Sequence, residues 1–152
     1  MCSSDLPRPS DLREVTLGTN GAFAGMTKGA VFVDHTTASA EIARELDAAA
    51  KKIGFGFVDA PVSGGSEGAR NATLTIFVGG DASDVERARP VLDAIGRTIT
   101  HVGPIGAGQA VKAVNQVILA GTYLGVAEGI VLAIKAGLDV EQVVEEDRKS
   151  VV

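Results

Sequence analysis

Short apolar runs alternate with amphipathic stretches along the first two-thirds of the chain. Ala30-Val31-Phe32-Val33-Asp34 has the length and composition of a buried strand. Thr36, Thr37 and Ser39 then supply helix-capping oxygens, and a helical pattern beginning at Glu41 runs to Lys52 with Gly54 as its stop. Gly56-Phe57-Val58-Asp59-Ala60-Pro61-Val62 reads as a second strand, and the alternating residues 73–78 as a third. Asp81 and Asp84 are placed to cap a helix reaching residues 92–94 and closed by Gly96, and residues 98–102 form a fourth strand. Strands alternating with helices predict an α/β architecture with a mostly parallel sheet.

The pattern then changes. One long helix is expected from about Gly106 to Lys135, with Gly137 as its stop and a new helix start at Asp139. Between Lys112 and Glu128 it carries no charge, and apolar residues occupy nearly every face, so it has to be surrounded by protein. Residues 117–134 invite a membrane test, since spanning takes ~20 apolar residues. Gly121, Thr122, Gly125, Glu128 and Gly129 interrupt the run, which favours a buried helix of a soluble protein. A further helical domain is expected to cover it. The sequence shows no internal repeat and no low-complexity segment.

Composition narrows the classes. At 152 residues the chain can bury the core of one domain, and its formal net charge of −5 gives no electrostatic footprint for nucleic acid or an anionic membrane. Its single cysteine excludes an internal disulfide framework and a cysteine-based zinc site. No signal peptide opens the chain, and a cytoplasmic location is expected. Residues 1–6 and 147–152 resemble translated sequencing adapters, so both are set aside as adapter-derived tails.

Three motifs carry candidate chemistry. In Val62-Ser63-Gly64-Gly65 a hydroxyl and two glycines follow a strand, where backbone N–H groups could converge on a carboxylate. An ordinary strand-to-turn junction accounts for the same residues. Lys112 opens the uncharged helix with Asn115 and Gln116 on its face, and burying a lysine there is costly unless it has a task or a partner. A solvated first-turn lysine is the alternative. Gly103-Pro104-Ile105-Gly106-Ala107-Gly108 also follows a strand and opens a helix, but its GxxGxG spacing is not the dinucleotide fingerprint GxGxxG. It reads as a link between strand and helix. No pattern pairs His35 with His101, and surface or capping roles fit them better than metal ligation.

Asp59-Ala60-Pro61-Val62-Ser63-Gly64-Gly65, together with Gly108-Gln109-Ala110-Val111-Lys112-Ala113-Val114-Asn115-Gln116, resembles the substrate loop and catalytic-lysine helix of the β-hydroxyacid dehydrogenases. The resemblance runs from about Pro7 to about Glu146 and covers the middle of such an enzyme. It implies the C-terminal part of a Rossmann-type NAD(P)-binding domain at residues 7–105, the glycine fingerprint lying upstream. An interdomain helix and the start of an all-α domain would follow at 106–146. By the same resemblance Lys112 is the general acid or base. Ser63, Gly64 and Gly65 hold the substrate carboxylate, and Asn115 fixes the substrate. Thr37, Pro7 and Asp11 contact the cofactor. The implied activity is hydride transfer between NAD or NADP and a small β-hydroxyacid or its semialdehyde, of the 3-hydroxyisobutyrate or tartronate semialdehyde type. The partners are then a small carboxylate substrate and further copies of the parent enzyme, with the 152-residue chain itself inactive. Asn71-Ala72, His35 and Thr36 depart from the usual family residues, and Gln116 stands where many members have a second asparagine. Two other readings remain: a non-catalytic binding module on the same fold, and an unrelated α/β nucleotide-binding domain using residues 103–108.

Overall fold

A computed structural model describes residues 8–150 of the chain. Their contacts divide it into two compact units, Met1–Ala113 and Val114–Val152. Pro7 and the first expected tail, 1–6, lie outside the described residues, as do Val151 and Val152.

The first unit starts with helix α1, Pro9–Leu17, and a short 3-10 turn at Ala22–Gly25. Strand β1, Val31–Asp34, and helix α2, Ala40–Ile53, follow as the pattern predicts. The Ser39 hydroxyl accepts from the Ile42 N–H at the start of α2, and Gly54 closes it in the left-handed region at φ 102°. The second expected strand divides into β2, Gly56–Asp59, and β3, Val62–Ser63. Pro61 falls at the break and has no N–H to give a ladder. Next come α3, Gly65–Arg70, then β4, Leu74–Gly80, α4, Ala82–Asp93, and β5, Gly96–Gly103. Gly96, expected only as a helix stop, is also the first residue of β5.

The sheet is mixed. β1 pairs with β2 and β4 with β5 in parallel, while β2 and β3 both run antiparallel to β4. Val58 and Asp59 face Gly80 and Gly79, whereas Val62 and Ser63 face Ile76 and Thr75. Thus β2 and β3 lie end to end along one edge of β4. The strand overshoots β1, and the chain reverses onto it through the short helix α3 instead of crossing the sheet.

Side chains alternate between the two faces. One face buries Phe57 in a cluster with Leu12, Phe23, Ile42, Leu46 and Phe55. Phe23 meets the Phe55 ring edge-on at 4.8 Å, and Phe32 stacks on Phe57, its register partner. The other face buries Val58, Leu74, Ile76 and Val78 beneath Val85, Ala88 and Leu92 of α4. Asp34 and Asp59 are also register partners, each two residues beyond an aromatic of the first face. Two carboxyls therefore sit side by side where the parallel strands β1 and β2 end.

The long helix expected from the sequence is α5, Ala107–Lys135, 29 residues. In the second unit it continues to a glycine-closed end. Gly137 has φ 70°, Leu138 N–H donates to the Ala133 carbonyl, and Gly137 N–H to that of Ile134. Helix α6, Val140–Ser150, starts with Asp139 accepting from the Gln142 N–H. The expected surroundings of α5 are not supplied by the described residues. Val117, Ile118, Tyr123, Leu124, Leu132 and Ile134 are all more than 60% exposed. By length and composition the helix could cross a membrane, a criterion that core helices of soluble proteins meet as well.

Such a run of apolar side chains exceeds what a soluble monomer tolerates. The purified chain is expected to elute from a sizing column well above its 15.5 kDa monomer mass. Val117→Lys with Leu124→Lys should return it toward that mass. A monodisperse monomer of the unaltered sequence would contradict this expectation.

Candidate active site

The start of α5 is set against the ends of the strands by Asp59, which is fully buried. One carboxylate oxygen accepts from Gly106 N–H at 2.7 Å and the other from Gln109 N–H at 2.8 Å. These are donors that the first turn of a helix otherwise leaves unpaired. The approach needs glycine. A Cβ on Gly108 would stand 2.5 Å from the Phe77 carbonyl oxygen and 2.7 Å from that of Asp59, and one on Gly79 would stand 2.8 Å from Gly108 N. Burial pushes the Asp59 carboxyl above the usual carboxylate range. The two N–H bonds oppose that shift, and the neighbouring Asp34 adds to it.

Gln109, also buried, ties the same turn to the loop after β1. Its Oε1 accepts from Ala38 N–H at 2.9 Å and its Nε2 donates to the Thr36 carbonyl at 2.7 Å. In that loop one oxygen of Asp34 accepts from both the N–H and the hydroxyl of Thr36. The other, Asp34 Oδ2, is buried without a hydrogen-bond partner among the described residues. Burial raises this carboxyl too, against the two Thr36 bonds and the charge of His35. The start of α2 reaches the same place: a Cβ on Gly106 would lie 3.1 Å from both the Cβ and the carbonyl oxygen of Ala40.

Lys112 is three residues beyond Gln109 and four beyond Gly108, so it emerges on the helix face that meets the sheet. This accounts for its burial: only 8% of it is exposed. No ion pair or hydrogen bond holds its ammonium among the described residues. Desolvation lowers its pKa from the ordinary lysine value. The solvated-lysine alternative is thereby removed. Asn115 is half-buried and its Oδ1 has no partner among the described residues, while Gln116 is exposed.

Ser63 is half-buried at the end of β3, opposite Thr75. Gly64 and Gly65 are exposed, with φ of 130° and 60°, and turn the chain into α3. A side chain at either would be strained. No hydrogen bond joins Ser63 to Lys112 among the described residues. Thr37 is exposed in the β1–α2 loop, next to the Gln109 bonds. Asp11 is half-buried in α1 and bonded to the Ser10 hydroxyl at 3.2 Å, apart from that network. Pro7 lies outside the described residues. His35 Nδ1 lies 2.7 Å from the Ala60 carbonyl, so it carries the proton and donates. His101 Nε2 likewise donates to the carbonyls of Gly80 and Gly103. Both imidazoles tie backbone segments together.

The structure therefore links the Thr37 loop to the Lys112 helix through Gln109, and the end of β2 to the same helix through Asp59, two residues to which the sequence alone assigns no role. The available signal was weak: a lone aspartate ending an apolar strand and a lone amide on an apolar helix.

Residues 3–103 match the family model described as the NAD binding domain of 6-phosphogluconate dehydrogenase. Residues 106–150 match the NAD-binding model of NADP-dependent 3-hydroxyisobutyrate dehydrogenase. An uncharacterized oxidoreductase of Shewanella frigidimarina is 49% identical over 135 residues, covering 89% of this chain and 46% of that protein. The Arabidopsis thaliana protein named probable 3-hydroxyisobutyrate dehydrogenase-like 3, mitochondrial, is 48% identical over 130 residues, covering 86% of this chain and 41% of its own length. Among solved structures, a 3-hydroxyisobutyrate dehydrogenase of Mycobacterium tuberculosis with L-serine superposes with a TM-score of 0.79 at 43% identity, covering 88% of this chain and 45% of that one. The chain spans about half the length of the curated relatives it matches.

The buried amine has a consequence for stability. Between its folded pKa and the ordinary lysine value, the unfolded chain holds a proton that the native chain has released. Unfolding free energy should therefore rise with pH across that interval. Urea titrations at a series of alkaline pH values should show the rise, and Lys112→Met should flatten it. An unchanged slope in the variant would mean that Lys112 is solvated.

Proposed function

The chain belongs to the β-hydroxyacid dehydrogenase family, and from that premise we propose that, in a protein of its relatives' full length, it supplies the proton-transfer lysine of an NAD(P)-dependent oxidoreductase. The substrate is a small β-hydroxyacid or its semialdehyde, of the 3-hydroxyisobutyrate or tartronate semialdehyde type. Residues 7–105 serve as part of the Rossmann-type domain, and residues 106–146 as the interdomain helix and the start of an all-α domain. An apolar, exposed α5 supports that division, because a following helical domain would give it the cover it lacks here.

NAD or NADP, when bound, would supply the hydride acceptor or donor. The residues at the ends of β1 and β2 suit such a group. Asp34 Oδ2 is buried and has no hydrogen-bond partner among the described residues, and an acceptor carboxyl there suits a hydrogen-bond-donating group better than a phosphate. Crevices beyond the carboxyl ends of strands are also where open α/β sheets take nucleotides. Thr37, with Pro7 and Asp11, would contact the cofactor.

Ser63, with the backbone at Gly64 and Gly65, holds the substrate carboxylate, and Asn115 orients the hydroxyl or aldehyde. Lys112 gives a proton to the forming alkoxide oxygen in reduction and takes the hydroxyl proton in oxidation. Oxidation needs the neutral amine, and burial moves Lys112 in that direction. The single observation that carries this reading is a lysine 8% exposed, with no carboxylate partner among the described residues, on the helix face turned to the sheet.

Lys112→Ala in the full-length protein should lower kcat by at least ~10²-fold, with a smaller change in KM for the acid. Retention of turnover within a few-fold would remove Lys112 from the chemistry.

A further inference from the structure

Lys112 has no side-chain partner among the described residues, so its position is inherited from the backbone of α5. That backbone is fastened only near its start. Gly106, Gly108, Gln109 and Lys112 are buried, whereas from Ala113 onward nearly every α5 residue is exposed. The fastening consists of four hydrogen bonds, two into the Asp59 carboxylate and two from the Gln109 side chain to the Thr36–Ala38 loop.

We propose that Asp59 and Gln109 are positioning residues for Lys112. Together they fix the tilt and rotation of the first turn of α5 against the end of β2 and the loop that carries Thr37. This rests on the reading of Lys112 as the proton-transfer group.

The geometry gives the clamp its leverage. Lys112 lies six residues beyond Gly106, roughly 9 Å along the axis at the rise of an α-helix. A tilt of ~10° at the first turn would move the lysine backbone by roughly 1.5 Å, and displacements of ~1 Å can cost ~10²-fold in rate. Rotation is controlled as well, because Gln109 and Lys112 share a face. Gln109 holds that face to the Thr36 carbonyl and the Ala38 N–H, so an ordered cofactor loop and a placed lysine are one condition. Neither tie can be replaced by an isostere. Asp59→Asn presents one oxygen where two N–H groups need acceptors, and Gln109→Met keeps the shape while removing both bonds.

The test reads Lys112 directly. In the 152-residue chain, lysine side chains are titrated by NMR in the unaltered sequence, in Asp59→Asn and in Gln109→Met, with Lys51 as the internal reference. Both variants are expected to shift the Lys112 resonance and move its titration midpoint back toward the ordinary lysine value, leaving Lys51 unmoved. In the full-length protein the same variants should lower kcat at least ~10-fold while KM changes by less than ~3-fold. A purely structural role predicts a lower melting temperature with an unmoved Lys112 midpoint and kcat, and that outcome overturns the proposal. If Asp59→Asn fails to fold, Gln109→Met decides alone. Loss of turnover in Lys112→Ala alongside normal kcat in both clamp variants would refute the clamp and leave the lysine assignment standing. Tolerance of Lys112→Ala would refute that assignment, whatever the NMR of the clamp variants shows.

Discussion

A buried carboxylate that accepts two backbone N–H bonds from the first turn of a helix is the constraint on which the site depends. Asp59 ends β2, and through Gly106 and Gln109 it fixes where α5 begins. Charge-assisted bonds of this kind contribute about 1.5–3 kcal/mol each, and leaving the N–H groups buried without an acceptor would cost a comparable amount. Several residues that look unremarkable follow from it. Gly79 and Gly108 are small because α5 has to come within bonding reach of Asp59. The Lys112 face then meets the sheet, and its amine loses water.

The fold was legible where local chemistry and tertiary need agree. β1, α2 with its Ser39 and Gly54 caps, β4, α4, β5 and the full length of α5 all lie close to where apolar periodicity puts them. Helices α1 and α3 have no counterpart in the sequence pattern. α3 contains two glycines within Gly65–Arg70, a composition that argues against a helix. It exists because Gly64 turns the chain sharply after β3. The antiparallel run of β2 and β3 along β4 was equally hidden, since the direction of pairing depends on how a connection crosses the sheet and leaves no periodic trace.

The site divides in the same way. Lys112 and the Ser63-Gly64-Gly65 turn were visible as residue types out of keeping with their surroundings, and the family resemblance gave them roles. The Asp59 and Gln109 ties were not visible. Their bonds join residues 47 to 73 positions apart, and a single sequence carries no sign of such pairs. Asp34 Oδ2 is a similar case: only the fold shows that one oxygen is used by Thr36 and the other by no group among the described residues.

Amide hydrogen exchange at Gly106 and Gln109 is the most direct measure of this arrangement. If Asp59 anchors the first turn of α5, these two amides exchange as slowly as those of the central strand β4, although helix-start amides ordinarily exchange fast. Exchange at Gly106 and Gln109 as fast as in the exposed helix α6 would show that the carboxylate does not hold the helix, and the account of how Lys112 is placed would fail.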